Sequence, residues 1–391
     1  MNTRRFQSRA IIRPIVVCCA LLALTVGVAP LGAAGPEHPA PAEPQHEAGH
    51  ENHGHPEHHG GGAAVLNVVA TLPDYASVAR AIGGDRVRVD AIVRGDQDAH
   101  FIRPKPSFVD MVNRADVLIA TGLDLELWLP TVVDKSGNVH VRSGRPGYVA
   151  AAQGMKLLEI PEILSRSEGG LHIYGNPHVT CSPLNMKVAA RNIAIGLTTN
   201  DPAGKEVYEA NLHAFLDEID RRLFGPELVR LLGGESLTNM AENGTLIPFL
   251  ERQKFQGKPL IDSLGGWMKV MLPLRGMEIV TYHKTWVDFV TLFGLEEVGT
   301  VEPKPGIPPS PRHVTELVEL MRERNIKVIL AANYFDEQKI RTVAARVDAV
   351  PVIVPLYVGG ADNVSSYFDL VDLWTSRLVE AAAQVSAGSG D

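Results

Sequence analysis

Leu66-Asn67-Val68-Val69-Ala70-Thr71-Leu72-Pro73 begins the part of this 391-residue chain that reads as folded, and its continuation to Ala120 decides the fold. The apolar run Leu66–Ala70 reads as a buried strand ending at Thr-Leu-Pro. Tyr75–Ile82 has helical spacing and stops at Gly83-Gly84, a good C-terminal signal. Val87–Val93 alternates as a second strand. Pro106–Arg114 is predicted as a helix with proline at its start, and Asp116–Ala120 as a third strand. Strand and helix in alternation argue for parallel βαβ units. The alternation returns near the other end: strands at Glu278–Thr281, Glu297–Val301, Val328–Ala331 and Val352–Val354, with helices at Trp286–Phe293, Val314–Arg324 and Glu337–Arg346. A last helix is predicted from about Tyr367 to Ala382. The fold class is therefore α/β, in two halves.

Between the halves the pattern changes. Residues 134–177 read as loop-rich. A helix is predicted around Asn185–Leu197, and Pro202 opens a longer one through about Leu223. Its stripe of Tyr208, Leu212, Phe215, Ile219 and Leu223 faces a core. From Gly225 to Arg275 no clear periodicity survives. The expected divisions are 64–184 for the first lobe, 185–275 for a linking helix plus irregular insert, and 276–391 for the second lobe.

The N-terminus has the make-up of an export signal. Arg4, Arg5, Arg9 and Arg13 precede an apolar run from Ile15 to Leu31, and small residues come next at Gly32–Gly35. Cleavage near residue 34 would remove four of 37 basic residues and no acidic one. That leaves 33 basic against 45 acidic side chains, a balance of −12. Such a charge argues against nucleic acid as a partner. Cys18 and Cys19 would leave with the leader, so Cys181 would be a lone thiol with no intramolecular disulfide to form. Cys18 follows Val17, whereas lipid-anchored leaders place a small residue there, so a soluble exported (periplasmic) protein is expected. Residues 35–63 hold seven of the 14 histidines among Gly, Pro, Ala and Glu. This composition buries no core, and a disordered, metal-scavenging arm is expected.

Three other histidines stand in more informative places. His100 lies in Asp98-Ala-His-Phe-Ile-Arg-Pro-Lys-Pro-Ser107, His178 in Gly175-Asn-Pro-His-Val179, and His283 in Ile279-Val-Thr-Tyr-His-Lys284. His100 and His283 each follow the carboxyl end of a predicted strand, where open α/β sheets bind ligands. Neutral imidazole is the commonest protein ligand for zinc. His140, His213 and His313 lack such context and read as surface residues. Cys181 reads as buried and inert.

The His before Pro-x-Pro-Ser, the Asn-Pro-His-Val and the Val-Thr-Tyr-His together resemble the solute-binding proteins of zinc and manganese ABC transporters. So do Ala115-Asp-Val-Leu118, Thr121-Gly-Leu-Asp-Leu-Glu126, and the Asp201-Pro segment carrying Tyr208 and Asn211. The resemblance covers roughly 65–385. It implies two α/β lobes with mainly parallel sheets, joined by one long rigid helix, with a metal cleft between them. Its ligands would fall on His100, His178 and His283. Three histidines favour Zn²⁺ over Mn²⁺ by ligand softness. The implied partner is a membrane permease, served by a monomer without enzymatic activity. Many relatives supply a fourth ligand, an Asp past a late strand, but Ile353–Gly360 has no carboxylate. Water, Asp362, Asp98 and His172 are the candidates for that position. A His₃–water site is also a zinc-hydrolase arrangement, though no His-Glu-x-x-His pair appears, and a metal-binding adhesin would use the same fold.

Overall fold

The computed structural model describes residues 65–161, 172–304 and 306–388. The expected export leader (1–34) and His-rich arm (35–63) lie outside these residues. Two four-stranded parallel sheets organise the chain. The first takes β1 (Leu66–Ala70), β2 (Val87–Ala91), β3 (Val117–Ala120) and β4 (Tyr148–Ala150) in the order β2-β1-β3-β4. A two-stranded ribbon, β5 (Lys254–Phe255) with β6 (Lys258–Pro259), separates it from the second sheet. That sheet takes β7 (Glu278–Thr281), β8 (Glu296–Thr300), β9 (Val328–Ala332) and β10 (Val350–Val354), in the order β10-β9-β7-β8. The first sheet, counted within its own half, has the order 2-1-3-4. The second, read from its other edge, has the order 2-1-3-4 as well. In such a sheet the switch point lies between the first and third strands, and its carboxyl-end crevice is the natural ligand site.

Local sequence explains the central strands. Every residue of β3 (Val-Leu-Ile-Ala) and of β9 (Val-Ile-Leu-Ala-Ala) is buried, as expected where helices cover both faces of a parallel sheet. Helices α1 (Pro73–Gly83), α2 (Pro106–Asn113) and α3 (Leu129–Ser136) belong to the first half. Then come α4 (Pro183–Asn200) and α5 (Lys205–Phe224), 18 and 20 residues long. About 1.5 Å per residue gives α5 a length of about 30 Å, and it packs on α1 at one side and on α9 (Gly266–Met271) at the other. One apolar core runs through residues of both halves, from Val68 and Ile119 to Leu330 and Trp374. A smaller core, including Val318, Ile340 and Ile329, fills the far face of the second sheet.

Polar clamps fix this framework. Arg86 donates two hydrogen bonds to Asp201, at 2.7 and 2.9 Å, and Tyr208 donates a third at 2.6 Å. Asn211 donates to the Ile82 carbonyl at 2.9 Å, where α1 ends. The Asp201–Tyr208–Asn211 motif is thus a brace between α1 and α5. Lys187 of α4 is fully buried with its ammonium 2.6 Å from both Asp220 and Thr238.

Several elements escape a reading by periodicity. Residues 225–275 hold four short helices: α6 (Pro226–Leu232), α7 (Gly234–Glu242), α8 (Leu246–Arg252) and α9. Each is two or three turns at most, and Gly225, Gly233 and Gly265 punctuate them, so no apolar stripe has room to repeat. The loop-rich stretch after 134 contains β4, only three residues long. The second half is completed by α10 (Val287–Phe293), α11 (Pro311–Glu323), α12 (Glu337–Ala345) and α13 (Tyr367–Gly388).

Candidate metal centre

Two of the three histidines are positioned by the same short-range device. Asp98 opens a single turn at Ala99–Phe101, past β2, and one carboxylate oxygen accepts from both the backbone N–H (2.9 Å) and ring Nδ1 (2.8 Å) of His100. Asn176 stands in the same relation to His178, its Oδ1 accepting from the backbone N–H at 3.0 Å and from Nδ1 at 2.9 Å. The Asn176 amide nitrogen donates to the Lys284 carbonyl and to Glu159, which settles which end of the amide is oxygen. Both imidazoles therefore carry the proton on Nδ1 and present the Nε2 lone pair inward. This is the outer-sphere arrangement that orients metal-binding histidines.

His283 arrives from the second sheet, just past β7. Its Nδ1 is buried, has no hydrogen-bond partner among the described residues, and faces Glu302 Oε1 at 3.6 Å. His178 Nε2 is likewise buried without a partner. One ligand atom from each of His100, His178 and His283 can be chosen so that all lie within 4.8 Å of one another. The ring centroids are 5.0 to 5.9 Å apart. Residues 183 positions apart in sequence thus converge between the two sheets.

Burial keeps two of these rings, His178 and His283, neutral. It pushes His178 well below the ordinary histidine range, and the neighbouring imidazoles reinforce the effect. His283 falls to about 3, chiefly from burial and next from the charge His100 would carry, against some support from Asp98. Burial pushes the Asp98 carboxyl up, but its hydrogen bonds with His100 outweigh that and leave it below its usual value. Neutral, desolvated imidazoles such as those of His178 and His283 can take a cation without first shedding protons.

The other sequence candidates sort themselves. Asp98 is occupied with His100. Asp362 is exposed on the loop after β10. In that loop the backbone N–H of buried Val358 donates to Asp74 at 2.8 Å. Cys181 is buried, its thiol donating to the Thr285 carbonyl at 3.1 Å, outside the histidine cluster. His140 and His313 make ordinary structural hydrogen bonds, to Asn200 and to the Thr300 carbonyl. His172 lies in the cluster, with Nε2 3.2 Å from His100 Nε2. Asn176 stands in the Asn-Pro-His-Val motif, yet sequence reasoning assigns no role to it or to Glu302, although Asn two residues before His repeats the Asp98–His100 spacing.

Comparison with known proteins agrees with this architecture. Residues 68–222 and 261–381 match the family model described as zinc-uptake complex component A, periplasmic (ZnuA). The chain belongs to this family. Its members are substrate-binding proteins of metal ABC transporters, not enzymes. Among relatives, the manganese transporter lipoprotein PsaA of Streptococcus mitis is 22% identical over 82% of this chain and 90% of its own. The metal transporter lipoprotein ScbA of Streptococcus cristatus is 31% identical over a shorter match, 40% of this chain and 49% of its own. A zinc-bound deletion mutant of ZnuA superposes with a TM-score of 0.60 at 22% identity, covering 81% of this chain and 98% of that one. A manganese-bound periplasmic metal-binding protein from Candidatus Liberibacter asiaticus gives 0.57 at 18% identity, with the same 81% coverage here and 98% there. The family's two-lobed α/β fold with parallel sheets is the fold of this chain.

Proposed function

We propose that this protein captures Zn²⁺ outside the cytoplasmic membrane through His100, His178 and His283 and delivers it, as a monomer, to the permease of an ABC transporter. The observation that carries the metal reading is the inward-facing, unpartnered Nε2 of His178. A buried polar atom without a partner costs about 1–3 kcal/mol, a cost a bound cation would remove. The donor set supports zinc. Three imidazole nitrogens suit a borderline ion in tetrahedral geometry, whereas manganese favours oxygen-rich sites. Relatives are named for manganese and for iron as well, so the preference rests on this chain's own donors.

In this reading residues 64–184 supply His100 and His178, residues 276–391 supply His283, and 185–275 join the two. Metal binding ties one lobe to the other and fixes the surface offered to the permease. Ring protonation opposes binding, so affinity falls with pH. Relatives named as lipoproteins favour a second form of attachment, a lipid on one of the leader cysteines, and intact mass of the exported protein separates it from simple cleavage.

The test is calorimetric titration with Zn²⁺ and with Mn²⁺, on the wild type and on His100→Ala/His283→Ala. One tight zinc site, absent from the double variant and preferred over manganese, is the expected outcome. Tight binding of manganese with weak binding of zinc would overturn the assignment, and an unchanged titration in the double variant would remove these histidines from the site.

A further inference from the structure

We propose that His172 supplies the fourth ligand, so that the cation is held by four imidazoles. The inference rests on the metal-binding reading above. His172 Nδ1 lies 3.0 Å from Asp124 Oδ1, and the other oxygen of the same carboxylate accepts from the Ile173 backbone N–H at 3.0 Å. Asp124 thereby fixes both the ring and the backbone beside it. This repeats what Asp98 does for His100 and Asn176 for His178. A ring whose Nδ1 proton points to a carboxylate presents an Nε2 lone pair on its other side.

That lone pair faces the cluster. His172 Nε2 is 3.2 Å from His100 Nε2, and its ring centroid lies 5.2 Å from that of His100 and 5.8 Å from that of His178. With both rings protonated on Nδ1, neither Nε2 has a proton to donate to the other. Two lone pairs at this separation repel unless a cation lies between them. The spacing is also that of ligands on one ion, since zinc–nitrogen bonds of about 2.0–2.1 Å in a tetrahedron set adjacent nitrogens about 3.3–3.4 Å apart.

The competing donors are committed elsewhere. Asp98 serves His100. Glu302 Oε1 accepts from the Gly306 backbone N–H at 2.6 Å and faces His283 Nδ1, the place of an acceptor for that ring rather than of a ligand. Asp362 is exposed on another loop. The set becomes four imidazoles, with Asp98, Asn176, Asp124 and Glu302 facing their Nδ1 atoms.

The experiment uses the full chain with one equivalent of Zn²⁺, so that the tightest site fills first. Affinity is measured by competition with a chromophoric chelator, and the ligand set by zinc X-ray absorption. The variants are His172→Ala, Asp124→Asn, His100→Ala and, as a control on the same loop, exposed Tyr174→Ala. His172→Ala should weaken binding at least about tenfold and exchange one imidazole for oxygen, and Asp124→Asn should weaken it by about ten- to a hundredfold. Tyr174→Ala should match the wild type. His172→Ala with wild-type affinity and spectrum would overturn the fourth ligand while His100→Ala still lost the site. His100→Ala with wild-type affinity would instead overturn the binding site itself. Metal-free melting of each variant separates a lost ligand from a lost fold.

Discussion

Acidification should weaken the metal-free protein through His283 in a way that a single substitution isolates. His283 holds its ring neutral down to about pH 3 because it is buried, while an unfolded histidine takes a proton near pH 6.5. Between those values the unfolded state binds the extra proton, so this ring's contribution to stability is intact above about 6.5 and declines as pH falls. The decline is about 1.4 kcal/mol per pH unit, hence about 2 kcal/mol by pH 5. The raw pH profile will not show this. Burial holds Asp74, Asp288 and Glu297 up at about 7, so these carboxyls are protonated on folding and add stability as pH falls from 7 towards their unfolded values. The comparison that isolates His283 is with His283→Gln, which is neutral throughout. Urea unfolding of chelator-treated protein should show the variant gaining about 2 kcal/mol on the wild type between about pH 7.5 and about pH 5. A difference that stays constant would mean that Glu302 accommodates the protonated ring and that burial does not hold it neutral.

Three further outcomes are expected of the framework and the arm. Lys187→Met strands Asp220 without its ammonium and should cost about 3–5 kcal/mol, read by denaturant unfolding, whereas adding Asp220→Leu should recover most of it. Gly95→Ala would place a methyl 2.1 Å from the Gly360 nitrogen and 2.5 Å from the Val358 oxygen, all backbone. It should cost about 1–3 kcal/mol, and an unchanged melting temperature would mean that the two loops do not meet. Deleting residues 35–63 should leave one tight zinc site per chain and remove only weaker binding, as titration stoichiometry would show.

The sequence displayed the sheets well because their signal is dense. Central strands such as β3 and β9 are unbroken runs of buried aliphatics. Helices α6 to α8 follow one another with glycines between some of them and no strand to frame them, and β4 is only three residues long, so their faces left no readable repeat. The site divides along the same line. His100, His178 and His283 stand in recognisable local motifs at strand or helix ends. His172 does not, because what places it is a partner 48 residues earlier, Asp124, and a pairing of that range leaves no local pattern. Asp201, Tyr208 and Asn211 were legible as a motif but not as a brace, since Arg86 and the Ile82 carbonyl lie in another element.

The matching order of the two sheets gives the site its logic. In each half, strands one and three lie side by side, so the loops past their carboxyl ends open around a common crevice. His283 leaves the first strand of the second half. On the other side the loop that carries His100 is held by short polar contacts, Trp128 donating to the Ala99 carbonyl at 2.8 Å and Asp98 accepting from His100. The halves also meet through backbone: Gly95 lies against Gly359 and Gly360, and Val358 donates to Asp74. Close contacts of this kind leave little slack, which keeps His283 in register with the imidazoles of the opposite half. The cluster is therefore preorganised. Burial holds His178 and His283 neutral, neighbours aim His100, His178 and His172, and ligand atoms of His100, His178 and His283 lie within 4.8 Å of one another before any ion arrives.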